Sequence, residues 1–152
     1  MRAIIQLVEN ASVTVDKKTV GAVQKGYLIL LGVYDYDTEA DAEILAKKTA
    51  ELRIFCDEND KMNLSLLDVD GEALVVSNFT LCADCSHGRR PSYSKAAAPS
   101  IANPLYELYC EKLLENNVKN VEKGVFGADM KVSLLNDGPV TLILDTNDWI
   151  KR

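Results

Sequence analysis

Tyr27-Leu28-Ile29-Leu30-Leu31-Gly32-Val33, bounded by Gly26 and Asp35, is a continuous apolar run. Such a run between turn residues predicts a buried strand. Upstream, Ile4 to Val15 sets Ile4, Val13 and Val15 among polar alternates, which reads as another strand starting almost at the first residue. Asp16-Lys17-Lys18 supplies a hairpin turn, and the chain returns through Thr19 to Val23. The first 35 residues are therefore a meander of strands.

Further along the chain, Thr38-Glu39-Ala40-Asp41 opens a helix, with Thr38 as N-cap and acids in the first turn to suit the helix dipole. Ala42, Leu45, Thr49 and Leu52 then fall on one face. Asp57 to Lys61 is a polar turn, and Ala73 to Leu81 is a second strongly apolar strand. A long irregular stretch runs from Cys82 to Ser100. Asn103-Pro104 then reads as N-cap and first helical position of a second helix, which buries Leu105, Leu108, Tyr109 and Leu113 and ends near Asn116-Asn117. Three short apolar stretches follow, Val121 to Phe126, Met130 to Leu135 and Val140 to Leu144. Many strands and two main helices predict an α+β fold whose mostly antiparallel sheets curl toward a barrel, with residues 1–152 as one domain.

Composition narrows the function classes. With 47% hydrophobic and 26% charged residues, the chain reads as a soluble globular protein. No segment approaches the roughly 18 apolar residues that span a bilayer. The opening lacks the apolar stretch of a signal peptide, so a cytoplasmic address without membrane association is expected. The net charge of −6 argues against broad nucleic-acid binding, which rests on neutralising many phosphates. It leaves room for a grip on one short RNA end through a local basic cluster; Arg89-Arg90 fits either such a phosphate contact or, equally, a plain solvated loop.

Conventional hydrolytic side chains are scarce. His87 is the only histidine, so any Ser-His-Asp or Cys-His arrangement would have to use it, and it stands in a polar loop beside Gly88-Arg89-Arg90. Cys82-Ala83-Asp84-Cys85 is formally a C-x-x-C, yet no second pair completes a zinc set, and Cys56 and Cys110 are scattered. Reduced thiols, no metal and no cofactor are expected. No P-loop, H-E-x-x-H or G-x-G-x-x-G occurs. Two segments remain. In Ser77-Asn78-Phe79-Thr80-Leu81, hydroxyls, an amide and a ring close an apolar strand; the plain reading is a strand edge with Phe79 and Leu81 in the core. In Asn136-Asp137-Gly138-Pro139-Val140-Thr141, Gly-Pro interrupts two strand-like runs; the plain reading is a tight hairpin.

Taken together these segments resemble the signatures of D-aminoacyl-tRNA deacylases, Ser-Gln-Phe-Thr-Leu and Asn-x-Gly-Pro-Val-Thr. The resemblance extends through Met1-Arg2-Ala3-Ile4-Ile5-Gln6, Leu52-Arg53-Ile54-Phe55, Lys61-Met62-Asn63, Gly88-Arg89-Arg90-Pro91-Ser92 and Gly124-Val125-Phe126-Gly127-Ala128-Asp129-Met130, so it spans nearly the whole chain. It implies a homodimeric, barrel-like hydrolase that strips D-amino acids, and glycine mischarged on tRNA-Ala, from the 3′ acceptor end of tRNA. It further implies an active site at the dimer interface, where a cis Gly138-Pro139 from one subunit enters the partner's pocket and rejects L side chains.

By the same resemblance, the ribose 2′-hydroxyl assists catalysis, backbone N–H groups near Phe79 and Thr80 receive the oxyanion, and the Ser77 and Thr80 hydroxyls position the substrate with Asn78 beside them. Phe126 and Met130 match positions that line the pocket of the terminal adenosine, although ordinary core is an equal reading. Thr80 as a covalent nucleophile is the rival within this chemistry. Two positions depart from the family pattern: Asn78 stands for glutamine, and Leu7 for an arginine that helps fix the Gly-Pro loop. A related branch with a trans Gly-Pro edits a mischarged L-amino acid, and this alternative stays open, as does a non-catalytic module that binds an RNA end.

Overall fold

A computed structural model describes residues 1–150. Lys151 and Arg152, the end of the tail that carried little sequence signal, lie outside the described residues. Strand β1 (Arg2–Val15) turns through Asp16 and Lys17, both at positive φ (48° and 64°), into β2 (Lys18–Val23) and then β3 (Gly26–Gly32). From Ala11↔Val23 to Arg2↔Gly32 the antiparallel register against β1 is unbroken, so β2 and β3 are two lengths of one hairpin arm. After helix α1 (Glu39–Glu51) and the short pair β4 (Phe55–Cys56) and β5 (Met62–Leu64), strand β6 (Glu72–Ser77) runs parallel to β3. Helix α2 (Pro99–Glu115) leads to β7 (Asn120–Lys123), parallel to β6, and the long β8 (Lys131–Asp145) lies antiparallel to β1.

The α+β class, the two main helices and the barrel-like curl stand as read from the sequence. The pairing is mixed, antiparallel around β1 and parallel from β3 through β6 to β7. Curl brings β2 against β7: a Cβ on Gly21 would lie 2.7 Å from the Lys123 carbonyl oxygen. Only a residue without a side chain lets the two backbones approach this closely.

Alternation along β3 separates two apolar clusters. Tyr27, Ile29 and Leu31 face the helices with Ala3, Ile5 and Leu7, while Leu28 joins Val8, Val13, Leu74 and Val76 on the inner face of the curl. Helix α1 is held at its start by Asp41, whose carboxylate accepts from the Thr38 amide and hydroxyl at 2.9 Å each and from the Thr146 hydroxyl at 2.6 Å. The buried Met1 ammonium donates to Asp37 Oδ1 at 2.7 Å and to Thr146 Oγ1. Helix α1, β1 and the end of β8 are thereby tied at one point.

Three boundaries differ from the sequence reading. Helix α2 starts with Pro99 in its first turn, not at Asn103-Pro104, and Pro104 sits inside it. Ala102, one turn ahead of Leu105 and Tyr106, is buried on the same face and extends the helix backward. Pro104 is exposed, and the Ser100 carbonyl it cannot pair belongs to an exposed residue. Strand β6 stops at Ser77, and Phe79–Cys82 forms a turn of 3₁₀ helix. Finally, Met130–Leu135 and Val140–Leu144 are not separate strands of a hairpin but parts of one strand. Val8 pairs with Asn136 and Gln6 with Thr141, so Leu7 alone faces the four residues Asp137 to Val140. These residues form a wide bulge. Within it Gly138 has φ 120° and the Gly138–Pro139 peptide is cis.

Candidate active site

The 3₁₀ turn follows from local hydrogen bonding. As β6 ends, the Asn78 amide still donates to Leu31 O at 2.8 Å, which anchors the turn to β3. The Asn78 side-chain carbonyl then accepts from the Thr80 amide at 3.3 Å and from the Thr80 hydroxyl. That cap bends the chain out of the strand. Leu81 N donates back to Asn78 O. Among the described residues nothing accepts from the Phe79 amide, which opens the turn. An amide left free at this position is available to an oxygen of a ligand.

A cavity of about 780 Å³ opens where the parallel strands β3 and β6 end. Ser77, Asn78 and Phe79 line one side, and Phe126, Asp129 and Met130 from the β7–β8 connection line another. Val132 and Leu134 of β8 complete that wall, with Gln6 of β1 beside them. Helix α2 contributes Pro99, Ala102 and Tyr106. Burial pushes the Tyr106 phenol far up, and its hydroxyl donates to Val75 O at 2.9 Å, so it holds the wall rather than offering a proton.

The cavity brings together five of the sequence-predicted site residues: Ser77, Asn78, Phe79, Phe126 and Met130. Phe126 and Met130 each pack on a core cluster, as the ordinary-core reading has it, and each also lines the cavity. Thr80 is exposed beside the rim, its hydroxyl committed to Asn78. Gly138 and Pro139 do not line this cavity; they are exposed on the bulge of β8. Arg89, Arg90 and His87 are exposed in a turn closed by the Asp84↔Ser92 bridge.

The cavity is chemically sparse. Among the described residues its lining includes no histidine, cysteine, lysine or arginine, and Asp129, exposed and paired with Lys131 at 2.9 Å, is its one carboxylate. Cys82 is buried on the other side of the 3₁₀ turn, and burial with the nearby Asp37 carboxylate pushes its thiol up to about 11. Such a thiol is almost wholly protonated near neutrality. No group of three or more His, Cys, Asp or Glu among the described residues could hold a metal ion.

Sequence reasoning missed Gln6, Ala97, Pro99, Ala102, Tyr106 and Asp129. A glutamine within an apolar strand and a run of three alanines ahead of a helix were the available signals.

A family model described as D-Tyr-tRNA(Tyr) deacylase matches residues 4–145. A D-aminoacyl-tRNA deacylase of Thermosipho africanus (strain TCF52B) is 58% identical over 146 residues, covering 96% of this chain and 97% of its own. One from Clostridioides difficile (strain 630) is 52% identical over 147 residues, covering 97% and 98%. Among solved structures, a chain named c-Myc DNA Unwinding Element Binding Protein has TM-score 0.90 at 36% identity, covering 95% of this chain and 98% of its own. A probable eukaryotic D-amino acid tRNA deacylase has TM-score 0.81 at 17% identity, covering 94% and 97%, a likeness of fold alone. The chain belongs to the D-Tyr-tRNA(Tyr) deacylase family.

Proposed function

We propose that this chain is a cytoplasmic, homodimeric editing hydrolase that cleaves the ester of D-aminoacyl-tRNA, and of glycine mischarged on tRNA-Ala. The observation that carries the reading is a cavity with a free main-chain amide at Phe79 and almost no ionisable side chain. Such a site suits a substrate that brings its own catalytic group. In an aminoacyl-tRNA the ribose 2′-hydroxyl lies next to the ester, where proximity makes it effective. Water, hydrogen-bonded to that hydroxyl, adds to the ester carbonyl. The Phe79 amide receives the developing oxyanion, and the 3′-oxygen leaves with a proton, giving free amino acid and tRNA. Thr80 N–H, already engaged by Asn78, is the weaker of the two predicted donors. Ser77 and Asn78 position the ester, and the adenosine occupies the wall formed by Phe126 and Met130.

Chirality is read by the partner's Gly138-Pro139. Three observations support this. The bulge is exposed and does not line its own cavity. Strand β8 carries exposed Leu134, Leu135 and Ile143, and among the described residues it pairs only with β1. Leu134 both lines the cavity and is exposed, so a second copy seated on its side of β8 reaches the cavity mouth. Main-chain carbonyls of such a bulge form a wall that cannot swing aside. With the ester and α-ammonium fixed, an L side chain meets the wall, a D side chain points away, and glycine has nothing to clash.

No helix among the described residues is long and apolar enough to cross a membrane. Thr80 as nucleophile lacks a base, since its hydroxyl donates to an amide oxygen. The test is release of D-tyrosine from D-tyrosyl-tRNA with L-tyrosyl-tRNA left intact. Equal rates on the two enantiomers would reject the steric wall. Tight binding of a stable amide-linked analogue with no turnover of the ester would instead favour a nucleic-acid end-binding module.

A further inference from the structure

We propose that Phe79 and Tyr93 form a stacking subsite for the unpaired base that precedes the terminal nucleoside of the substrate, with Arg89 and Arg90 holding the phosphates beyond it. This rests on the reading of the cavity as the site of an RNA 3′ ester.

Phe79 is 58% exposed and Tyr93 41%. Side by side, the two rings make one contiguous exposed aromatic patch, the kind of surface that marks a binding site. They touch edge to face, with centroids 5.1 Å apart and planes at 66°. Neither ring sits on a loose segment: Phe79 follows the Asn78–Leu31 hydrogen bond, and Tyr93 lies between the Asp84↔Ser92 bridge and a hydrogen bond from Ala96 N to its own carbonyl at 3.0 Å. The platform is therefore formed before any ligand arrives, which lowers the entropic cost of binding.

Position and charge choose the occupant. Phe79 lines the cavity, whereas Tyr93 does not, so the pair leads from the cavity rim outward. Just beyond, the turn closed by Asp84↔Ser92 carries Arg89 and Arg90, both exposed and without an ion pair among the described residues. The segment from residue 82 to 98 has three strong bases (Arg89, Arg90, Lys95) and one acid, Asp84, in a chain of net charge −6. Asp84 is itself turned to Lys95 at 3.6 Å and to Ser86. Aromatic faces followed by free guanidinium groups match a single strand of nucleic acid, base then phosphate, and not an acidic or purely apolar partner. An apolar protein surface, including a second copy of this chain, would leave the arginines unused.

The experiment compares two substrates and one spectroscopic probe in the full-length protein. D-tyrosyl-tRNA carries the preceding base; D-tyrosyl-adenosine lacks it. In Tyr93→Ala, kcat/KM on the tRNA should fall about tenfold relative to that on the adenosine ester, mainly through KM, and Tyr93→Phe should restore the ratio. A ratio unchanged in Tyr93→Ala overturns the proposal. Independently of turnover, a short single-stranded RNA ending in amide-linked D-tyrosyl-adenosine is made with 2-aminopurine before the last nucleoside. Its fluorescence should be quenched on binding the wild type and Tyr93→Phe but not Tyr93→Ala. Equal fluorescence with wild type and Tyr93→Ala sinks the subsite even if the hydrolase reading stands. Stacking without turnover of either ester would retain the subsite and refute the hydrolase.

Discussion

Asn78 caps and Cys82 ends the same 3₁₀ turn, and the two show how single residues set its chemistry. Cys82 and Cys110 are buried, with thiols pushed up to about 11 and about 12, whereas Cys56 and Cys85 are exposed. Iodoacetamide at pH 8 should therefore label Cys56 and Cys85 in the folded protein and reach Cys82 and Cys110 only on unfolding, as read by peptide mass. Labelling of Cys82 at the rate of Cys85 would contradict this. Asn78 caps the turn and accepts from Thr80, so Asn78→Ala should destabilise by about 1 kcal/mol in urea and lower deacylation. Thr80→Ala should keep most activity, since the hydroxyl has no base to activate it. Ser77, Asn78 and Phe79 stood out as hydroxyl, amide and ring ending an apolar run, but their plain reading was a strand edge, and only the family resemblance read them as a site. The turn itself was not legible, because strand propensity continues through Phe79-Thr80-Leu81 and only the Asn78 side chain breaks it.

Among the elements, α1 depends on Asp41 and the barrel on Gly21. Burial pushes the Asp41 carboxyl up, but hydrogen bonds from Thr146 and Thr38 and the Met1 ammonium outweigh this and hold it below its ordinary value. A lowered folded value means the stabilisation is complete above the unfolded pKa of about 3.9 and is lost as pH falls through the folded value. Asp41→Asn should thus cost about 1–3 kcal/mol near pH 7. The gap to wild type in urea midpoint should narrow as the pH is taken below the ordinary carboxylate range. Gly21→Ala drives a methyl toward the Lys123 carbonyl and should cost about 1–3 kcal/mol. Strand β1 and its hairpin, α1 and most of the buried face of α2 were readable from periodicity and turn residues. The start of α2 was not, because two prolines, Pro99 and Pro104, each fit a first-turn position and only burial of Ala102 decides between them. The β8 bulge was equally hidden: that Leu7 faces four residues is a matter of register, which depends on the partner strand.

For the whole molecule, the cavity lies where the helix-side and inner-face clusters meet, so its walls are core residues, and the proposed mechanism draws its chemistry from main chain and substrate. The residues that line the cavity are ordinary ones, so composition alone did not mark them, and their grouping by the β3–β6 parallel pair is visible only in three dimensions. The exposed Leu134, Leu135 and Ile143 predict a dimer in sedimentation, with Ile143→Asp shifting it to monomer and lowering deacylation together. On the proposed mechanism, the substrate supplies the group the cavity lacks. Single-turnover hydrolysis should be measured on D-tyrosyl-tRNA ending in adenosine and in 2′-deoxyadenosine. A loss of about 100-fold or more with the deoxy substrate is the predicted result; equal rates on the two would contradict it.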